Sequence, residues 1–141
     1  MFKTMFKRRA AKGFTLVELL LVISILGIIT AIAVPMFMGQ RKRARIIGDA
    51  MSNAETIRMA LEQRRADNGF YGPPNTYTYK SDGTRPTPDI IPSFTAKGNS
   101  KMDYVITIGA TSITYTLEVK DPLASNQTLV KADNNTKAEK I

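Results

Sequence analysis

The chain has 141 residues and a mass of 15.6 kDa, about one domain's worth and too little for a two-domain enzyme of ordinary size. It contains no cysteine, tryptophan or histidine, which excludes disulfides, thiolate nucleophiles, Cys/His zinc sites and imidazole acid-base catalysis. Twenty Lys and Arg against twelve Asp and Glu give a net charge of +8, a balance that suits an anionic partner such as nucleic acid or lipid headgroups.

Lys3, Lys7, Arg8, Arg9 and Lys12 lie in the first thirteen positions with no acid among them. Without those five, fifteen basic residues face twelve acids, so most of the excess charge belongs to the N-terminal extension. That pattern suits a targeting leader better than a DNA-binding surface. Leu19 to Gln40 then runs 22 residues without a charge. As a helix this stretch reaches ~33 Å, enough to cross a hydrocarbon core of about 30 Å, and it predicts a membrane-inserted helix. The competing expectation is a signal peptide cut after Ala31-Ile32-Ala33, but the run exceeds an ordinary apolar region of about 7 to 15 residues and begins beside Glu18. Orientation sets the five leader bases against Arg41, Lys42, Arg43 and Arg45 beyond the other end, a narrow preference for a cytoplasmic N-terminus.

A carboxylate at the edge of a bilayer segment is costly unless paired or wetted. Glu18 is therefore either a headgroup-level acid that stays in water or a group awaiting a cation from another chain. Within the apolar run, Gly27 and Pro35 both weaken a helix, glycine through backbone entropy and proline through a lost hydrogen bond and a clash with the preceding turn. Membrane helices tolerate both, so a simple kink is the plainer expectation.

Past the bilayer segment, Ile47, Ala50, Met51, Ala54, Ile57 and Leu61 recur at three- and four-residue steps, the stripe of an amphipathic helix. Asp49, Asn53, Glu55, Arg58, Glu62 and Arg65 form the opposite, polar face, with Glu62 and Arg65 spaced for a surface pair. Asp67-Asn68-Gly69 supplies the stop, because Asn and Gly readily adopt the left-handed conformation that ends helices. One helix from about Thr15 to Ala66 is expected. The cluster Arg41, Lys42, Arg43 and Arg45 has no interleaved aromatic, so a headgroup anchor explains it better than nucleic acid.

From Phe70 onward the composition turns to Thr, Pro and Gly. A short strand is predicted at Thr76 to Lys80, and firmer ones at Asp103 to Ile108 and Ile113 to Lys120, where Ile113, Tyr115, Leu117 and Val119 alternate with polar residues. Gly109 to Ser112 joins them as an antiparallel hairpin, Thr128 to Lys131 adds a third strand, and Ala132 to Ile141 is expected to fray. The apolar face of this sheet needs a cover, and the stripe Ile47 to Leu61 is the long apolar surface available. The expected fold is α+β: a long N-terminal helix, membrane half plus amphipathic half, packed on a small antiparallel sheet.

Gly13-Phe14-Thr15-Leu16-Val17-Glu18 ahead of an unbroken apolar stretch closely resembles the class III signal of type IV pilins and type II secretion pseudopilins. The resemblance implies cleavage between Gly13 and Phe14 by a prepilin peptidase, N-methylation of Phe14, and pairing of Glu18 with the Phe14 amine of a neighbouring subunit. It implies that the Gly27 to Pro35 segment melts in the filament. The domains would be a leader at 1–13, a filament-core helix at 14–40, an amphipathic helix at 41–66 and a head at 67–141. Asp67-Asn68-Gly69-Phe70-Tyr71 resembles the helix-ending segment of both groups.

Implied partners are further copies of the chain, the prepilin peptidase, an inner-membrane assembly platform and the inner membrane itself, with nucleic acid not expected as a primary partner. The subunit would span the inner membrane once, head in the periplasm, before joining a surface filament or a periplasmic pseudopilus. Asp121, Ser125 and Asn126 are a thin set for the calcium site of major pseudopilins and are better read as a turn. Asn126-Gln127-Thr128 and Asn134-Asn135-Thr136 are read as solvated turns rather than glycan acceptors. No metal or cofactor is expected. Nor is an enzyme, since Asp67, Asp82, Asp89, Glu118 and Asp121 show no convergent spacing.

Overall fold

The computed structural model describes residues 13–141; the basic leader residues before Gly13 lie outside them. The chain divides between Gln40 and Arg41 into two compact units. In the first, residues 16–40 are helical, and their large apolar side chains are exposed, from Leu16 to Met38. Such a surface is stable only in lipid or against other apolar helices. Its hydroxyls are satisfied internally: Ser24 Oγ donates to the Leu20 carbonyl at 2.7 Å and Thr30 Oγ1 to that of Leu26 at 2.8 Å. A polar group that bonds its own helix removes the cost of carrying it into hydrocarbon.

Helix α1 is assigned as Leu16–Asn68. Its C-terminus extends two residues past the expected Ala66 because the Asn68 side-chain amide donates to the Arg64 carbonyl at 3.1 Å. Gly69, with φ +82°, then returns its N–H to the Arg65 carbonyl at 2.7 Å, the left-handed cap that only glycine adopts without strain.

In the second unit five antiparallel strands follow in meander order, β1 Thr76–Tyr79, β2 Asp103–Ile108, β3 Tyr115–Asp121, β4 Gln127–Asp133 and β5 Glu139–Lys140. Tyr104, Ile106 and Ile108 oppose Val119, Leu117 and Tyr115 on one face, and these six are buried together with Ala50, Ala54, Ile57 and Leu61 of α1. The alternation of β2 and β3 thus puts every second side chain against the helix stripe, the α+β arrangement expected.

Several local expectations fail for identifiable reasons. Ile113 is 47 % exposed, because the hairpin is closed by reciprocal contacts of Gly109 with Thr114 and Ser112, which pushes the start of β3 to Tyr115. Ala132 to Ile141 does not fray as a whole: Ala132 and Asp133 complete β4, and β5 pairs with it through Val130↔Lys140 and Lys131↔Glu139. Ala138 is buried, its N–H held by Glu55 Oε1 at 3.1 Å. Met51 is exposed rather than part of the core. Glu62 and Arg65 do not pair directly; the Tyr71 hydroxyl donates to Glu62 at 2.9 Å and accepts from Arg65 at 3.1 Å.

The largest departure is Asn53, placed on the polar face by periodicity but 1 % exposed. Its amide donates to the Lys97 carbonyl and to the Tyr104 hydroxyl, both at 2.8 Å, and its carbonyl accepts from the Lys97 N–H at 2.9 Å. A buried side-chain amide mimicking a strand neighbour fixes the loop before β2 onto the helix. Burial raises the Tyr104 hydroxyl to about 12, against the opposing effect of the Asn53 amide, so it is a neutral partner at physiological pH. Asn53→Leu would orphan the Lys97 peptide groups and the Tyr104 hydroxyl. At about 1–3 kcal/mol for an unsatisfied buried group, thermal unfolding of the detergent-solubilised chain, followed by tyrosine signals, should show a loss of at least ~2 kcal/mol. A variant within about 0.5 kcal/mol of the parent would contradict this role.

A second polar knot holds the loop after β1. Asp89 accepts from the Tyr79 hydroxyl at 2.7 Å, from the Ile91 N–H at 3.0 Å and from Arg85 at 2.7 Å, while Arg85 also donates to the Phe94 carbonyl. Burial works against ionisation of Asp89, yet Arg85, Tyr79 and Ile91 together hold its carboxyl below the usual carboxylate range. A lowered folded-state value means stability that is present above the ordinary carboxylate value, near 4, and is lost as pH falls through the folded value. Asp89→Asn should therefore melt lower than the parent at pH 7, and the gap should close on acidification. A gap that stays constant down to pH ~2 would remove Asp89 from the acid limb.

Candidate functional site

The residues singled out by sequence lie at the start of the described chain. Gly13 and Phe14 precede the helix, and Phe14 is 78 % exposed. A Cβ built on Gly13 meets nothing within 4 Å, so this glycine is not required by packing within the described residues. The bond between Gly13 and Phe14 therefore sits in non-helical, exposed backbone.

Thr15, which sequence reasoning passed over, organises the next turn. Its Oγ1 accepts from the Glu18 N–H at 3.2 Å, and its carbonyl accepts from the Leu19 N–H at 3.2 Å. Thr15 is thus the N-cap and Glu18 the third helical residue, the T-x-x-E spacing of a capping box. The signal for it is the T-x-x-E spacing of Thr15-Leu16-Val17-Glu18, which abuts the membrane-length run. Glu18 is exposed, and among the described residues its carboxylate makes no hydrogen bond or ion pair. It lies in the first turn of the helix, where the backbone N–H groups give the helix its positive end. The site thus presents exposed, non-helical backbone at Gly13, an exposed aromatic at Phe14, and one helical turn away a carboxylate without a partner among the described residues.

Gly27 and Pro35 are both inside α1, which runs through them as helix. A Cβ on Gly27 also meets nothing within 4 Å. Arg41, Lys42, Arg43 and Arg45 are exposed at the start of the second unit. The described residues hold no group of three or more carboxylates placed to bind a metal ion. Asp121 is committed to a turn, where its carboxylate accepts from the Leu123 N–H at 2.9 Å.

Residues 8–34 match the family model of the prokaryotic N-terminal methylation motif. The chain carries a prepilin-type methylation motif. The chain is 38 % identical over 66 residues to the type IV major fimbrial protein FimA of Dichelobacter nodosus, covering 43 % of this chain and 41 % of that protein. It is 37 % identical over 65 residues to the type II secretion system core protein G of Pseudomonas aeruginosa, covering 46 % and 45 %. The type IV major pilin protein PilE of Neisseria gonorrhoeae is 37 % identical over 65 residues, covering 46 % and 38 %. The chain thus resembles type IV pilins and type II secretion pseudopilins, and it aligns with less than half the length of each of these relatives. Comparison with solved structures gave no match.

Proposed function

We propose that this chain is a structural, non-enzymatic subunit of a type IV pilus-like filament, made as a prepilin. Residues 1–13 are the leader, 14–40 the membrane and filament-core helix, 41–66 the amphipathic helix, and 67–141 the head. A prepilin peptidase cuts after Gly13 and methylates Phe14. The subunit waits in the inner membrane with its N-terminus cytoplasmic and its head periplasmic, then joins a homo-oligomeric filament on an inner-membrane assembly platform through its N-terminal helix. Glu18 pairs with a neighbour's Phe14 amine during that step, and the Gly27 to Pro35 segment supplies axial adjustment as the helix leaves the bilayer. The observation that carries the reading is the methylation motif opening an apolar helix whose side chains the fold leaves uncovered.

Intact-mass measurement on protein isolated from cells tests it. The expected species begins at methylated Phe14; a chain starting at Met1 or Val34 would refute the processing. A second reading, a pseudopilin whose periplasmic filament drives protein secretion, is favoured by the near-equal match to a secretion system core protein. Surface filaments recovered by shearing support the first reading, and secretion lost on deletion without such filaments supports the second.

A further inference from the structure

We propose that the head carries a site for anionic lipid headgroups, built jointly by the helix and two head loops of the second unit. A cleft of about 300 Å³ is lined by Lys42, Arg45 and Ile46 of α1, by Lys101 before β2, by Asp121 at the end of β3 and by Leu123 just after it. Lys42 and Arg45 follow the uncharged run by two and five residues. That spacing keeps both cations close along the chain to the border of the hydrocarbon, where basic side chains meet anionic headgroups.

The sheet brings the other two elements to that place. Asp103 pairs with Lys120, so the loop entering β2 and the turn leaving β3 sit side by side at one end of the sheet. Two α1 side chains pin the loop: Asn53 holds both peptide groups of Lys97, and Asp49 accepts from Ser100 Oγ at 2.6 Å. Gly98 lies so close that a Cβ there would fall 2.5 Å from the Asp49 carboxylate. Lys101 thereby lines the same cleft as Arg45. The turn is also fixed, by Asp121 capping the Leu123 N–H and by left-handed Ser125 and Asn126. It drives Leu123 outward to 87 % exposure.

Three cations against one turn-committed acid, beside a leucine displayed to the outside, complement a surface of negative phosphates with apolar chains beneath it. This inference rests on the membrane-anchor reading above. The test exploits the absence of cysteine: the full chain with Leu123→Cys as its single thiol is labelled with an environment-sensitive fluorophore. It is reconstituted at high dilution into vesicles of phosphatidylcholine alone or with phosphatidylglycerol.

Acrylamide quenching should fall several-fold in the anionic vesicles, and high salt should restore it. Lys101→Glu, or Arg45→Gln as an independent variant, should return most of the quenching, about fivefold for one near-surface base. Lys137→Glu, the same charge change beyond the opposite end of β4, should not. Resistance to alkaline extraction reports the anchor separately. Anchored protein with equal quenching in both lipids would overturn the docking site alone. Protein released by alkali would overturn the anchor and the site together. Protection that appears in zwitterionic vesicles only as protein density rises would assign the cleft to a second copy of the chain instead.

Discussion

In cells expressing Gly13→Val the chain is expected to accumulate uncut in the inner membrane, with the processed fraction reduced by more than about tenfold, equivalent to ~1.4 kcal/mol on the cleavage barrier. The structure makes this a clean substitution. Gly13 precedes the helix and its Cβ direction is open, so valine meets no clash among the described residues. What valine changes is the approach of the scissile backbone to an active site, where a branched Cβ fixes χ1 and adds bulk beside the bond to be cut. Gly13→Ala, with one unbranched carbon, should be cut at an intermediate rate. Anti-head immunoblots of membranes, read against the mass of the mature form, measure all three chains. Normal processing of Gly13→Val would show that this glycine has no role at the peptidase.

The parts of the molecule that were legible in the sequence share a physical property: they are governed by periodicity or by strict local spacing. The membrane run declares itself by length, β2 and β3 by alternation, and the end of α1 by Asn68-Gly69. Asn53 was not legible, because a helical wheel sorts residues by polarity alone and a buried amide satisfied by a loop forty-four residues away leaves no local trace. The pairing of β5 escaped for a related reason: a two-residue strand has no period, and its placement depends on Glu55 reaching Ala138 across the fold. Tyr71 likewise sits between Glu62 and Arg65 only because the chain turns back at Gly69. In the candidate site, Gly13, Phe14 and Glu18 stand out by fixed spacing, whereas the Thr15 cap is one short polar spacing at the edge of a long apolar run. Glu18 holds both positions at once, third residue of a helix cap and lone acid of the apolar segment.

That double position decides which variants can separate assembly from capping. Glu18→Ala removes the carboxylate but keeps the backbone N–H that Thr15 Oγ1 accepts, so the helix start, the peptidase site and the apolar surface should all survive. Glu18→Gln keeps, in addition, an acceptor that suits the third position of a capping box while deleting the charge. If the carboxylate serves chiefly to start the helix, Gln should behave like the parent. If it neutralises a neighbour's Phe14 amine, Gln should fail nearly as badly as Ala, since an amine left unpaired among packed helices costs about 3–5 kcal/mol. That cost corresponds to a loss of a hundredfold or more in subunit docking at about 1.4 kcal/mol per decade. Glu18→Asp, which retains charge with shorter reach, should recover part of it. Each variant is expressed as the sole subunit, and processed protein in membranes is compared with filaments sheared from the surface. The expected pattern is equal processing in all, abundant filaments for the parent, fewer for Asp, and almost none for Ala and Gln. Abundant filaments from Glu18→Ala subunits would eliminate the pairing and leave Glu18 as a hydrated acid at the helix start.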